Sequence, residues 1–271
     1  MTFRALHDEG CFVLPNPWDR GSAQLLEHLG FKSLATTSAG YAFSLGKPDS
    51  PLALGCDEVL DHISDIVRST RLPVSADFQA GYADTPEGVA TNVRRCFQTG
   101  VAGLSIEDAT GIHESPLYDL EESAERVRAA RGAIEASGDD VVLTARAECF
   151  LVGHPDPFRE SIRRLCEYSD AGADVLYAPG MRDPAQIREL VQAVSPKPIN
   201  VLVSAETNLA VMDLAELGVR RISLGSALAR AAWGGFLKAV TPLREHGEFS
   251  GLEGAASFNE LNGVFERAPS T

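Results

Sequence analysis

The sequence contains no apolar run near the roughly 20 residues that a membrane-spanning helix requires. Its first residues, MTFRALHDEG, hold no apolar stretch of the kind a secretory leader carries. No membrane partner is therefore expected, and a cytoplasmic location is. Positive charge is also scarce: 24 Lys and Arg face 38 Asp and Glu, for a formal net charge of −14. Nucleic-acid binding needs a basic footprint, so the acidity argues against that partner. It does not exclude an anionic substrate, because a few local arginines or a metal can still attract one. The five cysteines (Cys11, Cys56, Cys96, Cys149, Cys166) are scattered and never spaced Cys-x-x-Cys. That excludes a disulfide scaffold and a structural zinc site, and fits reduced thiols. No strand is followed by Gly-x-Gly-x-x-Gly or a Walker loop, so the common nucleotide fingerprints are missing.

What is present is a repeating alternation. The chain has 271 residues, 44% of them hydrophobic, which suits one α/β barrel of about 250 residues. Eight short apolar runs recur: CFVLP (11–15), SLATTS (33–38), LPVSADF (72–78), AGLSIED (102–108), VVLTARAE (141–148), ADVLYAP (173–179), PINVLVS (198–204) and RRISLGS (220–226). Several lack polar alternation, as expected for parallel strands buried on both faces. Segments with helical periodicity lie between them, at 19–30, 57–70, 85–100, 119–137, 156–172, 183–194, 207–218 and 227–240, with an extra one at 257–267. Thr85-Pro86-Glu87 reads as a cap with proline at the first helical position, and Gly100 as a stop. Eight strand–helix units predict a (β/α)8 TIM-type barrel, with residues 1–271 as a single domain.

Active sites of such barrels lie at the C-terminal ends of the strands. Those ends carry Asn16 and Asp19, Ser38-Ala39-Gly40, Asp77 and Gln79, Glu107 and Asp108, Arg146 and Glu148, Tyr177, Asn200, and Gly225-Ser226. Acids on two strands and an arginine on a third suit a divalent metal and an anion. Oxygen donors select Mg2+ or Mn2+. His113, in the stretch ATGIHESPLYDLEE, reads as a surface histidine, and Cys149 as a small buried hydrophobe.

The segments TTSAGYAFSLGKPD (36–49), SADFQAGYAD (75–84), GVAGLSIEDA (100–109), LTARAE (143–148), AGADVLYAPG (171–180), KPINVL (197–202) and LGVRRISLGSALARAA (217–232) follow one another in a familiar order. In that order the chain resembles a short member of the isocitrate lyase/phosphoenolpyruvate mutase superfamily over nearly its whole length. The resemblance implies a barrel whose eighth helix, within residues 227–271, is exchanged between subunits of a homo-oligomeric dimer of dimers. It implies Mg2+ and a 2-oxo acid or dicarboxylate as substrate. By the same resemblance Ser38, Ala39 and Gly40 bind the 2-oxo acid. Asp49 approaches the metal waters and the reacting end, and Asp77, Gln79 and Glu107 form the metal shell. Arg146 steadies the substrate carboxylate and the enolate oxygen, and Asn200 touches the substrate. Asp49, Arg146 and Glu107 are the expected catalytic residues.

The chemistry agrees with that donor set. Breaking a bond beta to the carboxylate of a 2-oxo acid leaves an enolate, whose oxygen needs a Lewis acid and fixed donors. The expected activity is Mg2+-dependent lyase, decarboxylase or hydrolase cleavage of a C–C bond in a 2-oxo acid or its adduct, of oxaloacetate or isocitrate type. The alternatives are C–P chemistry on phosphonopyruvate or phosphoenolpyruvate and a catalytically weak 2-oxo-acid binder. Three departures from the superfamily pattern stand out. Gln79 replaces the second acid of an Asp-x-Asp pair. Pro179 stands where the isocitrate-type lyases carry a carboxylate. Residues 109–122 contain neither Cys nor Lys, where the lyases carry Lys-Lys-Cys-Gly-His. These departures argue against isocitrate or methylisocitrate lyase activity itself. A phosphate-binding barrel is disfavoured by the ends VSAET and LGSAL, which lack a Gly-Gly phosphate loop.

Overall fold

The computed structural model describes residues 2–50 and 53–267. The ends of the expected domain, Met1 and 268–271, lie outside the described residues. Eight parallel strands follow the eight apolar runs: β1 (Phe12–Leu14), β2 (Leu34–Ala35), β3 (Val74–Asp77), β4 (Gly103–Glu107), β5 (Val142–Arg146), β6 (Val175–Tyr177), β7 (Ile199–Leu202) and β8 (Arg221–Ser223). They pair in the order β1-β8-β7-β6-β5-β4-β3-β2. The remaining seam is drawn together by Ala35 N–H, which donates to Pro15 O at 3.0 Å. The result is a nearly closed (β/α)8 barrel, as the alternation predicts.

The helices are α1 (Arg20–His28), α2 (Ser38–Ser44), α3 (Cys56–Arg68), α4 (Pro86–Phe97), α5 (Leu120–Ser137), α6 (Pro157–Asp170), α7 (Pro184–Ala193), α8 (Val211–Glu216), α9 (Ala227–His246) and α10 (Phe258–Phe265). Their starts follow from capping chemistry: the side chains of Asp19, Thr85, Asp156 and Asp183 each accept a first-turn amide, and Pro86, Pro157 and Pro184 sit in the first turn. Helix α2 interrupts what the sequence reads as the loop after β2. Helix α9 runs through Pro242 to His246, six residues beyond the expected end at 240. The main core lies between barrel and helices, where Ile63, Phe78, Val93, Leu104, Leu143 and Leu165 are fully buried.

One end of the fold is incompletely covered. Trp233, Phe236, Leu237 and Leu243 on α9, and Phe249, Leu252 and Phe258 beyond it, are all exposed, Phe258 to 86%.

Pairing register sets the site. Arg146 lies opposite Tyr177, Tyr177 opposite Asn200, and Asn200 opposite Arg221. Four polar residues thus share one rung across β5 to β8. TIM-barrel interiors are ordinarily filled with bulky branched apolar side chains, so this rung departs from what packing alone requires.

Candidate active site

A cavity of about 280 Å³ opens at the C-terminal ends of the strands. Ser38, Ala39, Asp49, Asp77, Arg146 and Tyr177 contribute to its wall, and Asn200 and Arg221 reach it from β7 and β8. A wider hollow of about 520 Å³ lies at the opposite, N-terminal face. Its basic groups are already engaged: Arg4 pairs with Asp140 and Asp174, Lys197 donates to Ala173 O, and Arg220 donates to Gly10 O. Catalytic groups of this fold gather at the strand C-termini, where the smaller cavity lies, with Asp49, Asp77 and Arg146 in its lining.

Its centre is Arg146. Nη1 donates to Asp77 Oδ1 at 2.8 Å, Nε to Glu148 Oε1 at 2.9 Å, and Nη2 lies 3.1 Å from Glu107 Oε2. The guanidinium lies beside the Tyr177 ring, its carbon 5.2 Å from the centroid. Three carboxylates, from the ends of β3 and β4 and from just beyond β5, therefore surround one cation. Burial pushes the carboxyls of Glu107 and Glu148 above the usual range, Arg146 pulls them down, and the neighbouring acids push them up again.

Asp77 is also held from β2. Its Oδ2 accepts both Ser38 N–H and Ser38 Oγ–H at 2.9 Å, and its own amide donates to Thr36 Oγ1 at 2.9 Å. Ser38 is the first residue of α2, so one carboxylate ties that helix to Arg146. Gly40 lies behind the wall. A Cβ there would sit 2.6 Å from Thr37 Cγ2 and 3.2 Å from Ala229 Cβ, so glycine lets α2 approach α9. Asp49 stands at the mouth, with its outer side open to solvent. Burial of its inner side and the Asp77 charge push its carboxyl up, and Arg146 draws it down.

Other sequence-expected groups lie elsewhere. Gln79 is in the left-handed region (φ 43°), with its carbonyl accepting Glu107 N–H at 3.0 Å, and its side chain is not among the cavity's lining. The turn it begins is clamped by buried Arg126, whose Nη2 donates to Ala80 O and Ala83 O at 2.7 Å. Asp108 faces away from the cavity. Its carboxylate accepts Tyr168 O–H at 2.6 Å, Arg164 Nη1 at 3.1 Å and Glu148 N–H at 2.8 Å. Asp108 thereby fixes the backbone of Glu148, which fixes Arg146. His113 is exposed in the 109–117 excursion, which is pinned by the Ala109–Leu117 bridge. Cys149 is fully buried, and burial pushes its thiol up to about 11, so it is no thiolate at neutral pH.

Residues 3–244 match the family model for phosphoenolpyruvate phosphomutase. The chain belongs to the phosphoenolpyruvate mutase family, within the isocitrate lyase/phosphoenolpyruvate mutase superfamily. An oxaloacetate decarboxylase of Pseudomonas syringae pv. tomato is 30% identical over 277 residues, covering 97% of this chain and 90% of that protein. A solved chain from Burkholderia cenocepacia J2315 is 47% identical with a TM-score of 0.93, covering 97% of this chain and 94% of that one. Oxaloacetate acetylhydrolase bound to its product oxalate is 28% identical with a TM-score of 0.87, covering 98% and 93%. The protein is an enzyme of this superfamily of lyases and mutases.

Superfamily membership raises the question of a metal. Among the described residues no group of three or more His, Cys, Asp or Glu is disposed to hold a metal ion. The donor set nevertheless fits Mg2+ in its usual mode, with one or two carboxylates and several waters or substrate oxygens. Hard oxygen donors are present, and the acids Asp77, Glu107 and Glu148 outnumber the single cation among them, Arg146. A bound cation would offset that surplus. Sequence reading missed two basic residues of this cavity, Arg221 and Arg230. Arg221 could have been found from RRISLG, where a charged residue shares a strand face with Ser223.

Proposed function

We propose that the protein is a Mg2+-dependent carbon–carbon lyase acting on a 2-oxo acid of oxaloacetate type through an enolate. The observation that carries this reading is Arg146, poised at the cavity wall among Asp77, Glu107 and Glu148. Asp77 and Glu107 would hold the ion, with water and substrate oxygens completing its shell. When bound it supplies Lewis-acid stabilisation of the negative oxygen that forms as the bond breaks. Arg146 orients the substrate carboxylate and adds a fixed positive charge beside the same oxygen. At the N-terminus of α2, Asp77 claims Ser38 N–H and Thr37 Oγ1 claims Gly40 N–H. The Ala39 amide is left as the α2 donor for a substrate oxygen. In decarboxylation the bond to the distal carboxylate breaks, its electron pair moves toward the 2-oxo group, and CO2 leaves. Asp49, in the cavity's lining and with its carboxyl raised, would return a proton to the enolate carbon. The named relatives support this chemistry: one is an oxaloacetate decarboxylase and another an oxaloacetate acetylhydrolase.

The test is incubation with oxaloacetate, phosphonopyruvate, isocitrate and 2-methylisocitrate, with Mg2+ or with EDTA. Pyruvate and CO2 from oxaloacetate in the Mg2+ arm alone are expected. Oxalate and acetate would move the break to the adjacent C–C bond. Turnover of phosphonopyruvate alone would replace C–C with C–P cleavage. Thermal stabilisation without turnover would leave a binder and overturn the lyase reading.

The cellular setting we infer is a reducing, cytoplasmic one, supported by five free cysteines. Among the described residues no helix is long and apolar enough to cross a membrane. We also infer that α9 and the residues after it are exchanged within a homo-oligomer. The exposed Trp233, Phe236 and Leu237 support this. Light scattering is expected to give a multimer, and Trp233→Asp with Phe236→Asp a smaller particle. A monomeric parent protein would refute the exchange.

A further inference from the structure

We propose that Arg221, together with the hydroxyls of Ser75, Ser105 and Ser223, forms a subsite at the cavity floor for the far carboxylate of a dianionic substrate. The proposal rests on reading this cavity as the substrate site. Arg221 is 3% exposed yet lines the cavity, as do the three serines. Among the described residues it forms no ion pair. Its partners are all neutral: Nε donates to Asn200 Oδ1 at 2.9 Å, Nη2 donates to Thr144 Oγ1 at 2.9 Å, and Nη1 lies 3.5 Å from His7 Nε2. His7 is an acceptor there. Its Nδ1 bonds Phe3 O at 3.0 Å, and burial beside Arg221 pushes its pKa down to about 3.

A buried guanidinium with no counter-charge is costly, and burial lowers even this arginine to about 10. Arg146, on the same rung, shows the opposite arrangement, with three carboxylates around it. A barrel interior needs neither this charge nor serines, since apolar side chains fill it better. A guanidinium offers five N–H donors, and the three neutral partners leave capacity for an incoming anion. The two ends of the substrate are thereby distinguished. The metal-and-Arg146 end takes the 2-oxo-acid group, and the floor takes the second carboxylate, balancing Arg221 only when a dianion is bound.

The test is calorimetric titration, with and without Mg2+, of pairs that differ in one carboxylate: 2-oxoglutarate against 2-oxopentanoate, and succinate against butanoate. The parent protein is expected to prefer the dicarboxylate of each pair by about 10- to 100-fold. Arg221→Met should reduce that preference to within about threefold while leaving the monocarboxylates unchanged, and Arg221→Lys should restore part of it. If Arg221→Met fails to fold, Ser75→Val keeps the cation and crowds the floor. It is expected to weaken the dicarboxylates about tenfold or more and to spare the monocarboxylates. Equal weakening of both members of a pair would make Arg221 a support for Asn200 and overturn the subsite, as would an unchanged preference in Arg221→Met. These titrations read binding alone. A retained preference without turnover of any candidate would refute the reaction and leave the subsite standing.

Discussion

Arg146→Met is expected to lower activity on the order of 1000-fold and to cost about 3–5 kcal/mol of stability at neutral pH. Methionine keeps much of the volume, so the loss reports charge. The guanidinium is the one cation bonded to Asp77, Glu107 and Glu148, and its side chain is 15% exposed. Without it, three neighbouring carboxylates keep their mutual repulsion and lose their attraction. The pH dependence has a definite sign. Glu107 and Glu148 have carboxyls raised in the folded protein. A raised acid is easiest to bury protonated, so its favourable contribution is present at low pH and lost as pH rises through its folded pKa. Deleting Arg146 raises these acids further. The variant's deficit relative to the parent, from urea melts, should therefore widen between about pH 5 and pH 8. A deficit that shrinks across that range would refute the account, and so would a variant as stable as the parent at pH 8.

The strands were legible because burial on both faces forces apolar runs, and each observed strand lies inside its expected run. Where reading failed, tertiary context decided the outcome. Pro242 ends a helix by local rules, yet α9 continues through it. Ser38–Ser44 is too short to show a period, and only the Thr37 cap announces it. The strand ends brought out Asp77, Glu107 and Arg146 as candidates, and the three come together because strand topology sends those ends to one face. Their pairing depends on register, which brings Arg146 opposite both Glu107 and Tyr177, and no local pattern encodes that. Gln79 shows the limit most clearly. Its proximity to Asp77 was visible, but the left-handed backbone angle it adopts at the turn was not. Arg221 was overlooked for the reverse reason: attention to strand ends passes over a charge at a strand's beginning.

Asp77→Ala should have a different signature from Arg146→Met. Activity is expected to fall about 100- to 1000-fold, but stability by only about 1–3 kcal/mol. The difference lies in what is left behind. Glu107 and Glu148 still compensate Arg146, so no buried charge is orphaned. Ser38 loses its acceptor for both N–H and Oγ–H, which releases the start of α2 and with it Ala39 at the cavity wall. One of the two carboxylates assigned to the metal is also removed. Mg2+ affinity, read calorimetrically on the unliganded protein, should fall at least about tenfold, because a hard cation loses a charged oxygen donor. Asp77→Asn separates the two roles. It is isosteric and keeps an oxygen that can accept from Ser38, but it has no charge for the ion. It should therefore restore most of the stability and little of the Mg2+ affinity. If Asp77→Ala binds Mg2+ as the parent does, Asp77 is a clamp between α2 and Arg146 and the ion is held elsewhere. If Asp77→Asn regains full activity, the negative charge at this position has no part in the reaction.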